Sequence, residues 1–273
     1  MFCDIHLHHK PGKKEVDTSQ LLAVMDKTGV EKIALFSWYG ANLEEQEENI
    51  RQVEKIFSAA PDRIYGLAWI EPAHGTKLEF LVELVQRHKF RGFKMIPNKW
   101  YPCEEKILSF CQTIAELNVP CLFHSGILYF STFSSRYCRP VFFEECLKIK
   151  DLRFALAHLS WPWTDECIAF YGQWRSLFQK GEISSRLFLD STAGTPPAWR
   201  RDVFEKVLSF GASEALIFGT DMLVSGEEGI LETLATSWQE HFQRDKHLCE
   251  KLNFSAAQQT EFFTGNFEKF FSG

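Results

Sequence analysis

No two cysteines in this 273-residue chain form a C-x-x-C pair, although there are eight of them. That argues against a paired-thiolate metal site, and with no secretory leader beside them the thiols read as reduced and cytosolic. The first residues, Met-Phe-Cys-Asp-Ile-His-Leu-His-His, lack the basic and apolar regions of a signal peptide, so a mature start and a cytoplasmic location are expected. Long hydrophobic runs are missing as well. A long stretch without a formal charge, residues 118–135, is interrupted by His124, Gly126 and several serines, which argues against a membrane span. Positive charge is in deficit: 30 Lys and Arg against 36 Asp and Glu leave a net charge of −6. A nucleic-acid backbone would lack the basic footprint it needs, so nucleic acid is not an expected partner. Linkers, charge blocks and low-complexity tracts are absent, and one domain over residues 1–273 is expected.

Aromatic residues are abundant, with 26 Phe, 8 Trp and 6 Tyr, more than a core requires. Some are therefore expected to line a pocket for a planar or apolar-bodied small molecule. Eight short apolar runs fall at residues 2–8, 32–38, 64–70, 91–96, 120–125, 153–159, 186–191 and 216–221, with starts 27 to 33 residues apart. That spacing is what a strand, a helix and two loops consume. Helical patterns fill the intervals at 19–27, 44–60, 77–88, 104–117, 140–148, 164–180, 198–210 and 227–252, and pieces at 256–263 and 266–271 are expected to cap the structure from about residue 253. Eight near-continuous apolar strands, each followed by a helix, predict an α/β fold of the (β/α)8 TIM-barrel type. The rival, an open doubly wound sheet, normally carries a Gly-rich turn after its first strand; here that place reads His6-Leu7-His8-His9-Lys10-Pro11-Gly12.

In that frame, ionisable residues gather at the carboxyl ends of the strands, where barrel enzymes build their sites. His6 and His8 end the first strand, Lys94 lies near the end of the fourth, His124 of the fifth, His158 of the sixth and Asp221 of the eighth. Side chains two apart share a face, so His6 and His8 are expected to enter the barrel while Ile5 and Leu7 face outward. The pair forms a two-nitrogen clamp for a divalent ion, which His124 and Asp221 could complete. A lone histidine in a strand is ordinarily a hydrogen-bonded core group. Four of nine histidines at three strand ends, joined by an aspartate, are costly to bury unless something pairs them. His9, His74, His88, His241 and His247 are expected in loops or on helix surfaces.

The loops after the strands are aromatic: Trp38 and Tyr39, Trp100 and Tyr101, Tyr129, Phe130 and Phe133, Tyr137, Trp161 and Trp163. Trp38, Trp100 and Trp161 are candidate substrate contacts. Arg136 and Arg139 on the long fifth loop could clamp a carboxylate. Glu71 and Asp190, at the ends of the third and seventh strands, are further candidates for substrate contact or for supporting the site.

The chain resembles the metal-dependent amidohydrolase superfamily, in its amidohydrolase-related branch that includes aminocarboxymuconate-semialdehyde decarboxylase. The resemblance rests on Asp4-Ile5-His6-Leu7-His8, Gly92-Phe93-Lys94, Pro120-Cys121-Leu122-Phe123-His124-Ser125-Gly126, Ala157-His158-Leu159, Phe218-Gly219-Thr220-Asp221 and the tail Gly265-Asn266-Phe267-Glu268-Lys269-Phe270-Phe271, and it spans most of the chain. It implies one metal, usually zinc, held by His6, His8, His124 and Asp221, with His158 beside the activated water. A second branch holds two metals bridged by a carboxylated lysine, and Lys94 with His158 fits that role. One departure is Gly219-Thr220-Asp221-Met222-Leu223, where the family more often has Gly-Ser-Asp followed by an aromatic residue and Pro. The resemblance implies a metal-dependent hydrolase of a C–N or C–O bond, an amide, lactone or related ester, in a small carboxylate-bearing substrate. The alternative is a metal-dependent decarboxylase of an unsaturated or aromatic acid. As catalytic residues, Asp221 is expected to take a proton from the metal-activated water, and His158 to stabilise an oxyanion or relay the proton. The oligomeric state is left open, a homo-oligomer included.

Overall fold

The computed structural model describes residues 1–129, 132–192 and 195–272. Parallel strands β1 (Phe2–His9), β2 (Val30–Phe36), β3 (Ile64–Trp69), β4 (Gly92–Met95), β5 (Cys121–Phe123), β6 (Arg153–Leu156), β7 (Arg186–Asp190) and β8 (Leu216–Ile217) pair with their neighbours in chain order. A ninth short strand, β9 (Met222–Val224), pairs with β1. The eighth run, expected as one strand over 216–221, is thus split: β8 pairs with β7, and β9 closes the barrel on β1. Between them the chain stays attached to β1, with the Ile5 N–H donating to the Phe218 carbonyl (3.0 Å) and the Asp221 N–H to that of His6 (2.8 Å).

Helices α1 (Thr18–Thr28), α2 (Leu43–Ser58), α3 (Leu78–Gln86), α4 (Glu105–Glu116), α5 (Thr164–Gln179), α6 (Pro197–Ser209) and α7 (Ile230–Lys251) surround the sheet. Local chemistry sets their ends. The Asp17 side chain accepts from the Ser19 and Gln20 N–H groups to start α1, and Gly29, at φ 77°, stops it in a left-handed turn that a Cβ would strain. The expected helix at 140–148 is instead a 3-10 segment, Pro140–Lys148. The expected piece at 256–263 is a short helix α8 (Ala256–Thr260) running through a π turn, Glu261–Gly265, into α9 (Asn266–Phe271).

Two apolar layers follow from the strand alternation. One lies between sheet and helices and includes Leu7, Ile33, Leu35, Phe93 and Phe123. The other fills the barrel with Cys3, Ile5, Phe36, Leu67, Leu122, Phe188 and Ile217, and Phe267 and Phe270 of α9 pack on it. Among the described residues no helix is long and apolar enough to cross a membrane.

Ile5 belongs to the inner layer, not the outward side expected for it. The β1–β2 register slips between Asp4 and Leu7, a bulge that resets the alternation. Before the slip Asp4 pairs with Ile33 of the helix-facing layer; after it Leu7 pairs with Leu35 of that layer and His8 with Phe36 of the inner one. His9, expected in a loop or on a surface, ends β1 and is buried.

Candidate active site

The bulge lets one strand serve two sides. On the helix side the Asp4 carboxylate, fully buried, accepts four hydrogen bonds: from the N–H groups of His6 (3.0 Å) and Thr220 (3.1 Å), the Thr220 hydroxyl (2.6 Å) and Nε1 of Trp238 on α7 (2.8 Å). It ties β1 to the β8–β9 junction. Burial pushes its carboxyl up to about 7 against these bonds. Gly219 fits the junction because a Cβ there would lie 2.6 Å from Thr192 Cγ2 and 3.1 Å from His6 Cβ. An Asp4→Asn variant would turn an NH2 group toward donors. In mildly alkaline buffer it is expected to lose about 2–3 kcal/mol, read as a fall in Tm of roughly 5–10 °C.

On the inner side, Asp221 occupies the gap between β8 and β9 at φ 60°, a left-handed backbone uncommon outside glycine. His6 Nε2 and His8 Nε2 are 3.1 Å apart, and each is 3.3 Å from Asp221 Oδ1. Burial works to raise the Asp221 carboxyl, but His6 and His8 outweigh it and hold it well below the usual carboxylate range. Burial drives both imidazoles toward the neutral form. Two neutral rings facing each other and an anion are the donors a divalent cation takes. His6, His8 and Asp221 form the metal-capable group among the described residues, their ligand atoms within 4.8 Å of one another. His124 stands outside that group. Its ring packs 4.9 Å from that of His158, and its Nε2 is buried with no hydrogen-bond partner. That orphaned nitrogen, like the convergent ones, fits a cation.

Lys94 and His158 complete the cluster. Lys94 is fully buried with Nζ 3.2 Å from His6 Nε2, and desolvation lowers its ammonium to about 8. His158 sits past the end of β6 in the turn Ala157–Ser160, where His158, Leu159 and Ser160 have φ of 62°, 47° and 56°. Three successive left-handed residues persist only when the surroundings hold them. Here the His158 carbonyl accepts from the Trp161 N–H (3.0 Å) and the Thr195 hydroxyl (3.2 Å), and the Ser125 hydroxyl donates to the Ala157 carbonyl (3.0 Å). Gly126, at φ +100°, lies so near this turn that a Cβ would sit 2.5 Å from the Trp161 carbonyl. Burial depresses His158 to about 4. Asp190 is fully buried beneath the rings, 2.6 Å from His6 Nδ1.

Above the cluster a cavity of about 240 Å³ is walled by Trp38, Trp69, Ile96, Ile127, Leu128, Tyr129, Trp161 and Leu223. Of the residues expected to meet substrate, Trp38 and Trp161 line it. Glu71 lines a small neighbouring cavity with Tyr39, and its carboxylate accepts from Trp100 Nε1 (2.9 Å) and the Ala73 N–H (3.0 Å). Trp100 is buried against Glu71 and lines neither cavity. Arg136 lies outside the pocket, exposed and folded onto Tyr137, with Nη2 2.5 Å from the phenol oxygen; Arg139 pairs with Glu166. Asp190 supports His6 from below and is absent from the walls. Phe133 is solvent-exposed, and Phe130 lies outside the described residues. A larger cavity, about 1130 Å³, includes the first residues of β6 and β7, Arg153 and Arg186, far along the strands from the cluster. Arg153 is held there by the Asn118 and Phe270 carbonyls, which explains its burial without chemistry.

Sequence reasoning missed Trp69, Thr192 and the role of Asp4. Trp69 carried a signal, the last place of β3 paired with Lys94 of β4. Thr192, two residues after Asp190, carried none, because its importance lies in contacts across the barrel.

The profile of the family described as Amidohydrolase matches residues 3–272. No curated protein matches the sequence. Among solved structures, the chain is similar to a probable 2-pyrone-4,6-dicarboxylic acid hydrolase from Acinetobacter baumannii with citric acid bound, at TM-score 0.68 and 13% identity, covering 99% of this chain and 98% of that one. It is also similar to 2,6-dihydroxybenzoate decarboxylase from Rhizobium, at TM-score 0.65 and 14% identity over 99% and 98%. A third is 5-carboxyvanillate decarboxylase from Novosphingobium aromaticivorans, complexed with manganese and a nitrobenzoic acid, at TM-score 0.64 and 12% identity over 99% and 96%. At these identities the likeness is one of fold.

Proposed function

Since this chain belongs to the amidohydrolase family, we propose that it is a divalent-metal-dependent hydrolase of a C–N or C–O bond in a small carboxylate-bearing molecule with an apolar body. The observation that carries this reading is the convergence of His6, His8 and Asp221 at the floor of a cavity walled by tryptophans. His6, His8 and Asp221 would hold the cation, with His124 the nearest further donor. Zinc is the first expectation, and manganese, present in the carboxyvanillate decarboxylase structure, suits nitrogen and carboxylate donors too. A cation there supplies Lewis-acid polarisation of a substrate oxygen and raises the acidity of water. One ion is proposed, because an unmodified Lys94 ammonium has no lone pair to offer a second. The intact mass of the protein checks this: a gain of one CO2 would mark a carbamate.

The protein's own groups do the rest. Asp221, with its side chain 35% exposed toward the cavity, is placed to accept a proton from the attacking water. His158 stands beside it to carry or steady the proton, and Trp38 and Trp161 exclude bulk water, which strengthens each electrostatic contact. With Arg136 and Arg139 turned away, the substrate carboxylate has Lys94 and the cation as its positive partners.

One observation favours the lyase reading, loss of CO2 from an unsaturated or aromatic acid. The walls above the cluster are apolar and carry no arginine, and a desolvating pocket favours a step that disperses carboxylate charge. A panel of lactones, amides and carboxylated aromatics, run with the purified metal-loaded protein in ¹⁸O-water, separates the two. Hydrolysis is expected to place ¹⁸O in the product with no CO2 evolved. Release of CO2 without ¹⁸O incorporation would replace the hydrolase by the lyase.

A further inference from the structure

We propose that Asp190 and Thr192 act together as positioning residues that fix the hydrogens of His6 and His158 on Nδ1, so that His158 offers the pocket a hydrogen-bond acceptor at Nε2 and selects ligands carrying an O–H or N–H there. The inference concerns the residues of the site alone and holds whether the reaction is hydrolysis or decarboxylation.

The argument is a count of hydrogens. Asp190 is fully buried at the end of β7, and its two oxygens face three groups. The Thr192 N–H donates to Oδ1 (2.8 Å), while Oδ2 lies 2.6 Å from His6 Nδ1 and 3.1 Å from the Thr192 hydroxyl oxygen, which donates to it. A backbone N–H can only donate, and an ionised carboxylate only accepts, so the carboxylate takes a hydrogen from each neighbour. His6 must then carry its hydrogen on Nδ1, which leaves the Nε2 lone pair for the metal-capable group.

The Thr192 hydroxyl has one hydrogen, and it is directed to Asp190. What remains on that oxygen are lone pairs, and His158 Nδ1 lies 2.7 Å from them. The contact is therefore Nδ1–H donating to Thr192, and the bare nitrogen of His158 is Nε2. The reverse arrangement, with threonine donating to His158, would leave the Thr192 oxygen and Asp190 Oδ2 facing each other at 3.1 Å with no hydrogen between them, a buried contact between two acceptors. The strained turn serves the same end. Left-handed backbone at His158 and the Thr195 hydroxyl on its carbonyl hold the ring where Thr192 can reach it. Of the two tasks expected of His158, donating to an oxyanion or receiving a proton, this tautomer supports the second.

Long-range ¹H–¹⁵N spectra of protein labelled at histidine, recorded with and without zinc, test the proposal. The His158 signal is assigned by its loss in His158→Asn. The expected result in both states is a protonated Nδ1 and an unprotonated Nε2, retained in Thr192→Ser and shifted toward Nε2–H in Thr192→Val, which keeps the shape and removes the acceptor. Turnover in Thr192→Val is expected to fall about 10- to 100-fold, as for other groups that orient site histidines, and Thr192→Ser to restore most of it. A wild-type His158 bearing its hydrogen on Nε2, or a Thr192→Val spectrum identical to wild type, would overturn the proposal; the wild-type spectrum decides even if the valine variant does not fold. Failure to bind zinc would count against the metal reading and leave the tautomer result standing.

Discussion

Replacing Asp221 with asparagine is expected to abolish binding of the proposed cation and to lower turnover by at least ~10³-fold, equivalent to about 4 kcal/mol of barrier. Two terms add. The amide keeps the shape but removes the anion that lies 3.3 Å from each of the two clamping nitrogens, so affinity should drop by more than the ~10- to 100-fold seen when a merely supporting group is lost. The same change removes the proton acceptor nearest the pocket floor. Metal content after dialysis, measured by mass spectrometry, reports the first term; residual turnover at saturating metal reports the second. An Asp221→Asn protein that keeps full metal occupancy would remove the aspartate from the ligand set.

His158→Asn is expected to do the opposite with metal, leaving its content near wild type, while turnover falls by about 10²- to 10⁴-fold, the usual worth of a positioned acid–base group. Asparagine suits the test because its amide nitrogen can occupy the place of Nδ1 and still donate to the Thr192 oxygen, now 2.7 Å from the ring. The nitrogen facing the pocket is what the variant lacks. Equal loss of metal and turnover would show instead that His158 is a ligand. A rise in metal content on carboxylation of Lys94, whose Nζ is 3.2 Å from His6 Nε2, would point the same way.

Much of this architecture was readable from the chain. The spacing of apolar runs announced eight β/α units, and the polar residues at their ends marked the face on which His6, His8, Lys94, His158 and Asp221 meet. These are local signals. Burial forces a strand or helix to repeat its apolar pattern, and the pattern survives in sequence whatever lies across the barrel.

What the chain alone decided is the order of its strands and helices and the kinds of donors at their ends, because both follow from short-range periodicity and from which side chains can bear a lone pair. The tertiary structure decided where each donor points. The bulge that turns Ile5 inward and aims Asp4 at Trp238, the break that frees Asp221 between β8 and β9, the folding of Arg136 onto Tyr137, and the run from His158 through Thr192 to Asp190 all depend on partners 27 to 234 residues away or on a near neighbour's orientation. A period-two reading assumes an unbroken register, and a hydrogen bond across the barrel has no period at all.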